Sequence, residues 1–468
     1  MIPFFPKQIS TRAILTYLAA LALVSGFYYR YLMLWGYIVL GITCVAGFFL
    51  LTNQWTQEWR RMSEKQFVQK IFWIAVALRL VWVIASYFYY LGWVGVPFEF
   101  DYGDSLGYHD EATWLANSDW SMTWWYYFGE GFHGIADVGY PLYLTIIYKI
   151  FGPVIIIPRI LKAFISAYTC ILIYRISTRT FGRDIARMTI IMFALMPNLI
   201  IYCGYHLKET EMIFLEVAFL ERTDYLLRSR KWNFWNLLFP SLIAVSLFFF
   251  RTVLGAAAIF SFVSAVLFTN SPSMKKGGKR VAIIGWGVLC LLVFSGGTIM
   301  TEIEALWENR SSNVEDQRYE QTSRGNLWAH YATGAVMSPM VFVLPFSTMV
   351  NVSQQYAQQT KHGGNYIRNF MGFFVLVAIY EAFRRKKWRD FTLIGSFVIA
   401  YLGVVSLSGF SNSERFLLPG MPCLILMWGY GVSALRPKTF KLLTPWCFVV
   451  VLMEFAWAFF KLGSRGIL

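Results

Sequence analysis

Apolar runs recur along almost the whole chain, each near the ~20 residues that a bilayer-spanning helix needs, with short polar stretches between them. We interpret thirteen of these runs as membrane-spanning helices. The pattern therefore predicts an all-α polytopic membrane protein. The predicted spans are Ala13–Tyr29, Leu32–Leu51, Ile71–Trp93, Val154–Ser177, Ala186–Tyr205, Glu211–Leu227, Trp235–Phe250, Val253–Phe268, Val281–Ile299, Asn369–Phe383, Phe391–Leu407, Phe416–Leu435 and Leu443–Phe460.

Two aromatic and apolar segments, Trp120–Phe132 and Tyr140–Phe151, are too short to span a bilayer. Because aromatic side chains favour the membrane–water boundary, we expect both to lie in the interface. Leu327–Ala335 and Met337–Val350 are further candidates for interfacial helices, whereas the polar Asn309–Arg324 stretch predicts a loop. The external face is thus predicted to be roofed by segments that follow the membrane surface.

Composition agrees with a membrane protein and excludes an ordinary soluble domain. Hydrophobic residues make up 57% of the chain and charged residues only 14%, against about 25% charged in a typical soluble domain. The formal net charge is +15, but the basic residues form short clusters between apolar runs, as membrane topology would place them. No nucleic-acid partner is therefore predicted.

The basic clusters predict the topology. With the spans above, every cluster reaches the same side as Arg60, which we place in the cytoplasm. The opposite, external side receives residues 94–139, His206–Thr210, Arg251, residues 301–368 and Ser406–Arg415. The clusters are Arg60, Arg61, Lys65 and Lys70; Arg179, Arg183 and Arg187; Arg228, Arg230 and Lys231; Lys275, Lys276, Lys279 and Arg280; Arg384 to Arg389; and Arg436, Lys438 and Lys441.

Four regions follow from this topology. Residues 1–66 hold two N-terminal spans and a basic cytoplasmic link, and residues 67–300 form the membrane core with external loop 94–139. Residues 301–368 are predicted as a second external loop with interfacial segments, and residues 369–468 as the C-terminal spans.

An acidic island, Phe98–Trp120, lies on the predicted external side directly after a span. Asp104 is placed to act as N-cap of a helix over Ser105–Leu115, with Asp104, Tyr108 and Glu111 along one face at helical spacing. An ordinary solvated loop with a helix cap would show the same composition. The position beside a membrane span favours a functional carboxylate. The acidic residues of the island include Glu99, Asp101, Asp104, Asp110 and Glu111.

Three cations reach the same predicted face: Lys208, Arg251 and Arg415. Each alone could mark a water boundary or extend along the membrane surface. Together, their charges suit a phosphate, because an arginine fork binds phosphate oxygens in bidentate fashion. A lipid phosphate would leave its tail in the bilayer, so the sequence predicts a polyprenyl-phosphate ligand. A transporter with these residues along its path remains an alternative.

No metal site is predicted from spacing. The histidines do not have a helical metal-binding spacing, so His109, His133, His330 and His362 are expected to have structural or surface roles, like Asp110 and Asp137. Should a divalent cation be present, Asp104 and Glu209 would be its ligands. The six cysteines lie inside apolar segments and are expected to be small buried hydrophobes.

Several ordered segments resemble the GT-C glycosyltransferases, particularly the protein O-mannosyltransferase and lipid A aminoarabinose transferase branch. Asp104-Ser105-Leu106-Gly107-Tyr108 resembles their first external loop, and Gly139 to Gly152 is similar to their interfacial PPLY…LFG segment. Leu161 to Pro197 resembles the two spans that follow. Further similarities are Leu207 to Thr210, Phe250-Arg251-Thr252 and Glu414 to Pro419, the last matching their ERYLLP stretch.

The resemblance implies a GT-C-like fold and a glycosyltransferase that uses a polyprenyl-phosphate sugar as donor. By resemblance, Asp104 is the general base for the hydroxyl of an acceptor glycan, lipid or protein, and Glu209 supports acceptor or metal binding. Arg251, Arg415 and Lys208 would bind the donor phosphate. Candidate acceptor or sugar contacts are Tyr108, His109, Asp110, Asp137, Tyr140 and His206.

Two departures from the family pattern stand out. Val138-Gly139 occupies the place where relatives often have Glu-Lys or His, and two extra spans precede the core. The expected location is the bacterial inner membrane, with the active site facing the periplasm. A polyprenyl-linked glycan ligase or polymerase is the second hypothesis. A lipid-linked sugar transporter or flippase is the third, although such proteins predict internal symmetry between halves, which the sequence does not show.

Overall fold

The computed structural model describes residues 2–128, 138–229, 234–268, 340–352, 355–407 and 413–463. Within these ranges the regular secondary structure is α-helical, apart from short 3-10 turns and an isolated bridge between Leu32 and Val350. The α-helices are α1 Lys7–Phe27, α2 Trp35–Glu58, α3 Glu64–Val94, α4 Gly103–Ala116, α5 Trp120–Phe128, α6 Gly139–Phe151, α7 Ile156–Phe181, α8 Arg183–Leu195, α9 Pro197–Ile201, α10 Glu209–Arg228, α11 Phe234–Phe250, α12 Thr252–Phe268, α13 Tyr356–Arg384, α14 Thr392–Leu407, α15 Glu414–Leu417, α16 Met421–Ser433, α17 Pro437–Lys441 and α18 Leu443–Gly463.

The all-α polytopic membrane architecture is confirmed. In the described ranges, eight helices are long and apolar enough to cross a membrane, and a bent pair provides a ninth if it is counted as one span. Helices α11 and α12 are shorter but apolar. Helix α10 occupies the predicted span Glu211–Leu227, yet it carries several acidic residues, Glu216 among them. The remaining predicted span, Val281–Ile299, lies outside the described residues.

The predicted single span Ala186–Tyr205 is broken in the structure. Helix α8 ends at Leu195, Met196 is extended, and the chain resumes at Pro197 with a bend of 53°. Proline lacks an amide hydrogen and disfavours helical geometry in the residue before it, so the break falls where the chemistry requires it. The residues Tyr202 to His206 follow this bend.

The segment before α13 also differs from the expectation. Helix α13 begins at Tyr356, so the boundary expected between residues 368 and 369 falls inside a helix. Residues 340–352, part of the predicted interfacial segment Met337–Val350, are largely non-helical and mostly buried. Asn369 donates to the carbonyls of Val343 and Pro345 at 2.6 and 2.9 Å, which satisfies backbone groups that would otherwise be unpaired.

One end of the molecule collects basic side chains. Arg187 donates to the Met62 carbonyl at 2.6 Å, and Arg179 pairs with Glu221 and Asp224 at 2.9 and 2.7 Å. Three further arginines converge on Glu381: Arg384, Arg385 and Arg436. The described basic clusters therefore meet at one end.

Helix α16 lies at the centre of the packing. All of its residues are buried, and it packs against α8 and α13. Helix α7 packs between α3, α8 and α10, while α4 packs on α6. These contacts hold the ends of α4, α7, α10 and α15 close together on the side opposite the basic clusters.

Candidate active site

Arg415 joins the two carboxylates that the sequence singled out. Its Nη1 pairs with the Asp104 carboxylate, and its Nε pairs with the Glu209 carboxylate. Arg415 lies in the short helix α15, Asp104 in the first turn of α4 and Glu209 at the start of α10. Three elements that are distant in sequence therefore meet at one guanidinium.

Arg251 is the second cation of this group. It lies between α11 and α12, and its Nη2 is 3.9 Å from Glu209 Oε1. Its Nη1 donates to the Tyr401 hydroxyl at 3.1 Å, and its guanidinium lies 4.5 Å from the centre of the Phe416 ring. These contacts hold the arginine on the Glu209 side of the site.

The two carboxylates differ in their exposure. The Asp104 side chain is 58% exposed, whereas the Glu209 side chain is fully buried. Helix α4 begins at Gly103 after Tyr102, so Asp104 lies inside the first turn and is not the N-cap that the sequence predicted. An exposed carboxylate in a first turn is stabilised by the helix dipole and remains accessible to a substrate.

The ion-paired group of the site consists of two guanidinium groups and two carboxylates, and Lys208 adds a third positive charge nearby. Two carboxylates and two guanidinium groups offset each other, so the ion pairs are balanced without a ligand. Glu209 Oε2 has no hydrogen-bond partner among the described residues and can accept one from a substrate hydroxyl. A phosphate that reached Arg415 would compete with Asp104 for the same donors.

Three further predicted residues group near Asp104. The rings of Tyr108 and Tyr140 meet edge to face, with centroids 5.2 Å apart. Lys208 Nζ is 5.9 Å from the centre of the Tyr108 ring, and Lys208 is itself buried. The cation thus lies one residue before Glu209, with an aromatic surface beside it.

His109 and His206 are linked through a residue that the sequence analysis missed. The Tyr148 hydroxyl bonds His109 Nδ1 at 2.8 Å and His206 Nε2 at 3.1 Å. Burial lowers the pKa of His109, and burial with the nearby Arg159 lowers the pKa of His206 well below its usual value. Both imidazoles are therefore neutral at pH 7, and they connect α4 to the segment before α10.

Glu99, one of the acidic residues of the island, is a buried link between the two catalytic candidates. One of its oxygens accepts from the Ser105 hydroxyl, next to Asp104. The other accepts from the His206 backbone amide at 3.4 Å, three residues before Glu209. Acidity alone did not reveal this role, because the contact is made by residues far apart in sequence.

Lys361 and Glu414 form a second missed pair beside Arg415. Lys361 Nζ is 3.0 Å from Glu414 Oε2, and both groups lie within 3.4 Å of the Tyr202 hydroxyl. The helix that carries Lys361 begins before the predicted span, so this lysine was assigned to a loop. Its position near the start of an apolar helix was the signal that could have identified it.

The remaining predicted residues do not join the Arg415 group. Asp110 is exposed on α4, and Asp137, His133 and His330 lie outside the described residues. Among the described residues, no group of three or more His, Cys, Asp or Glu side chains is arranged to hold a metal ion. Asp104 and Glu209 would supply two carboxylates to a divalent cation, and substrate or water would have to supply the other ligands.

No protein-family model matches the chain. No curated protein matches it either. Among solved structures, the chain is similar to the archaeal oligosaccharyltransferase AglB from Archaeoglobus fulgidus in complex with an inhibitory peptide and a dolichol-phosphate. The identity is 12%, the TM-score is 0.46, and the match covers 87% of this chain and 56% of that one.

An Archaeoglobus fulgidus oligosaccharyltransferase in complex with Zn and sulfate is also similar, at 12% identity and a TM-score of 0.37. That match covers 71% of this chain and 44% of the other. The chain thus spans about half the length of these proteins. At this level of similarity, the likeness assigns no activity to the chain.

Proposed function

We propose that this protein is an integral membrane glycosyltransferase that moves a sugar from a polyprenyl-phosphate donor to a hydroxyl acceptor. The observation that supports this most directly is the Arg415 guanidinium held between Asp104 and Glu209. It places a candidate base beside a candidate phosphate ligand, as a transfer from a lipid phosphate to a hydroxyl requires.

Asp104 is the general base in this proposal. Its carboxylate takes the proton from the acceptor hydroxyl, whose oxygen forms a bond to the anomeric carbon of the sugar. The bond from that carbon to the phosphate oxygen breaks, and the phosphate leaves with the electron pair. Asp104 suits the task because its side chain is 58% exposed, so that an acceptor hydroxyl can reach it.

Arg415 and Arg251 neutralise the leaving phosphate. Both guanidinium groups pair with Glu209, and they supply donors in the fixed geometry that suits phosphate oxygens. When the phosphate takes donors of Arg415, Asp104 loses its ion pair and becomes available to the acceptor. Lys208, beside Tyr108, is the third cation proposed to face the phosphate.

The substrate that receives the sugar is proposed to be a hydroxyl of a glycan, lipid or protein, contacted by Tyr108 and Tyr140. Glu209 Oε2 would accept a hydrogen bond from this substrate. The site lies at the end opposite the basic clusters. We assign the end that carries the site to the periplasmic side of a bacterial inner membrane. A divalent cation at Asp104 and Glu209 is tested directly by adding a chelator to the transfer assay.

The decisive experiment replaces Asp104 with asparagine. Asp104→Asn is expected to reduce sugar transfer from a polyprenyl-phosphate sugar by about 10²- to 10⁴-fold, because a positioned base contributes that much. Transfer is measured with purified protein and a panel of lipid-phosphate sugars, with mass spectrometry of the product. Expression should stay normal, and donor binding should be retained or tightened, because Asp104 no longer competes with the phosphate for Arg415.

Asp101→Asn is the matched control, because Asp101 is an exposed carboxylate three residues before Asp104. It should retain full transfer. Normal turnover in Asp104→Asn would remove Asp104 from the mechanism and, with it, the proposed chemistry.

A further inference from the structure

A buried arginine lies behind the candidate active site. Arg159, in the first turns of α7, is 0% exposed, and none of its three side-chain nitrogens has a hydrogen-bond partner among the described residues. A guanidinium keeps its charge inside proteins, and an uncompensated buried charge is strongly unfavourable. Such a group requires an acceptor.

The neighbouring carboxylate does not fill this role. Glu99 is near enough to attract Arg159 electrostatically. However, no hydrogen bond joins the two groups, and the two oxygens of Glu99 accept instead from the Ser105 hydroxyl and the His206 amide. The ring of Phe98, next to Glu99 in sequence, has its centre 5.9 Å from the guanidinium carbon. Arg159 is therefore attracted to Glu99 without a hydrogen bond to it.

Other buried groups around Arg159 also have polar atoms without partners in the described part of the chain. These atoms are the Tyr140 and Tyr90 hydroxyls and His206 Nδ1. Both tyrosines and His206 interact electrostatically with Arg159, and all three side chains are fully buried. The guanidinium contributes only donors, and the two hydroxyls can donate as well. The cluster has a surplus of donors.

The position of the cluster relative to the active site is set by α4 and α7. Helix α4 presents Asp104 to Arg415, while the adjacent Ser105 bonds Glu99 on the Arg159 side. One turn after Arg159, Lys162 donates to the carbonyls of Tyr205, at 3.0 Å, and Leu207. Lys162 therefore ties α7 to the segment that leads to Glu209.

We propose that Arg159, with Tyr140 and His206, forms a second oxyanion-binding site that takes a phosphate or carboxylate group. It differs from the Arg415 site in its cation, although Tyr140 also belongs to the proposed acceptor contacts of that site. The charge-assisted donors of the guanidinium would pair with the anion, and the two neighbouring side chains would complete its hydrogen bonds. Because Arg159 is fully buried, surrounding side chains have to move before an anion reaches it.

The test counts phosphate sites on the purified full chain in uncharged detergent, with radiolabelled inorganic phosphate in equilibrium dialysis. The wild-type protein is expected to bind two phosphates, and Arg415→Ala and Arg159→Gln one each. Equal binding by Arg159→Gln and the wild type overturns the proposal. Because binding is counted without turnover, this result is independent of whether the chain transfers a sugar.

Thermal unfolding of Arg159→Gln separates a ligand site from a structural one. An arginine that awaits a ligand gives a variant whose melting temperature without phosphate is unchanged or higher, and phosphate then raises it less than in the wild type. A large drop in melting temperature that is the same with and without phosphate would make Arg159 a structural partner of Glu99, and would overturn the proposal.

A second arm identifies the source of the anion. The same protein is placed in nanodiscs of phosphatidylcholine alone or with phosphatidic acid. If phosphatidic acid displaces bound inorganic phosphate, and this displacement is lost in Arg159→Gln, the site binds a lipid headgroup. If inorganic phosphate binds and phosphatidic acid does not displace it, the site binds a soluble group. Absence of Arg159-dependent binding in both arms refutes the site.

Discussion

At the scale of single residues, Arg415 is the cation that pairs with both carboxylates of the site. It pairs with an exposed carboxylate and a buried one, and the buried one is Glu209. Removing one partner of a buried charge pair costs more than the pair contributes, since the remaining charge is left without compensation. Arg251, at 3.9 Å from Glu209, is the only other arginine among the described residues that pairs with it.

We expect Arg415→Ala and Arg251→Ala to weaken the binding of polyprenyl phosphate. Loss of a charge-assisted contact predicts at least a tenfold higher Kd for Arg415→Ala, about 1.4 kcal/mol. A smaller effect on the Kd is expected for Arg251→Ala, because part of the hydrogen bonding of Arg251 is directed to the Tyr401 hydroxyl. Binding is titrated with polyprenyl phosphate.

Arg30→Ala serves as the control for these two variants. Arg30 is exposed, and its Nε donates to the hydroxyl of the neighbouring Tyr29 at 3.3 Å. Affinity should not change. Unaltered affinity in both site variants would place the phosphate elsewhere.

His206 makes stability depend on pH. Burial and the nearby cations lower its pKa well below the ordinary 6.5, so the folded protein keeps the imidazole neutral while the unfolded chain takes up a proton. The stability from this group is complete above pH 6.5 and is lost as pH falls towards the folded pKa, by up to ~1.4 kcal/mol per pH unit.

The melting temperature of the wild type should therefore fall between pH 7.5 and 5.5, and His206→Gln should reduce the slope. His109 retains its own contribution in that variant, because its pKa is also lowered by burial. An identical slope in His206→Gln and the wild type would show that His206 is already protonated in the folded state or remains solvated.

Much of the residue-level pattern was visible in the sequence, because ionisable groups beside apolar helices are costly. Asp104, Glu209, Arg251 and Arg415 were singled out on that ground, and the structure brings them together. Glu99 was not, because its role depends on contacts with the distant His206. The spacing of residues along the sequence does not predict such a long-range contact.

At the scale of elements, α4 and the segment before α10 are connected by two bridges. The first is Glu99, which accepts from Ser105 and from the His206 amide. The second is Tyr148, which links His109 to His206. Because Asp104 and Glu209 lie on these two elements, the bridges set the separation of the carboxylates. Glu99 is therefore a positioning residue.

Glu99→Gln tests this role. Glutamine offers one acceptor oxygen in place of two, so one of the Ser105 and His206 contacts is lost, at a cost of about 1–3 kcal/mol for a buried donor left unpaired. We expect kcat to fall about tenfold, by misplacing Asp104 against Glu209, while the Kd for polyprenyl phosphate stays close to that of the wild type.

Steady-state kinetics and the donor titration separate the two effects. Asp101→Asn, the exposed neighbour, should leave both unchanged. If Glu99→Gln instead raises the Kd and leaves kcat intact, Glu99 acts on the donor site and does not position the base. Partial recovery in Glu99→Asp, which keeps two oxygens, would support the positioning role.

Element boundaries show why some predictions held and others did not. The short helix α6 was predicted from its apolar length, and the structure has it at Gly139–Phe151. The break at Pro197 and the early start of α13 were missed, since an apolar or mixed run alone does not show where a helix bends or begins. Proline was the available signal for the first.

At the scale of the whole molecule, α16 is the helix on which the others pack. Every one of its residues is buried, although its sequence resembles that of the other apolar spans. Hydrophobicity therefore predicted a membrane helix here but could not predict that it lies at the centre, because membrane helices facing lipid and those facing protein are similarly apolar. Small residues that allow close approach mark the interface instead.

Gly431 is the small residue at which α16 and α13 approach most tightly. A Cβ placed on it would overlap the Phe374 backbone carbonyl. A backbone atom cannot move aside as a side chain can, so Gly431→Ala is expected to force the helices apart and to destabilise the protein by about 1–3 kcal/mol. The measurement is the melting temperature in detergent.

Gly395→Ala is the matched control for this prediction. Gly395 also lies in an apolar helix, α14, but a Cβ there meets nothing within 4 Å. Since alanine is the better helix former by about 1 kcal/mol, this variant should melt at the same temperature as the wild type or higher. A Gly431→Ala protein that is as stable as Gly395→Ala would mean that α16 and α13 are not in close contact at this position. Helix α13 also carries Lys361, and α15, which carries Arg415, lies just before α16. That outcome would therefore also call for a different arrangement of the helices that hold the active site.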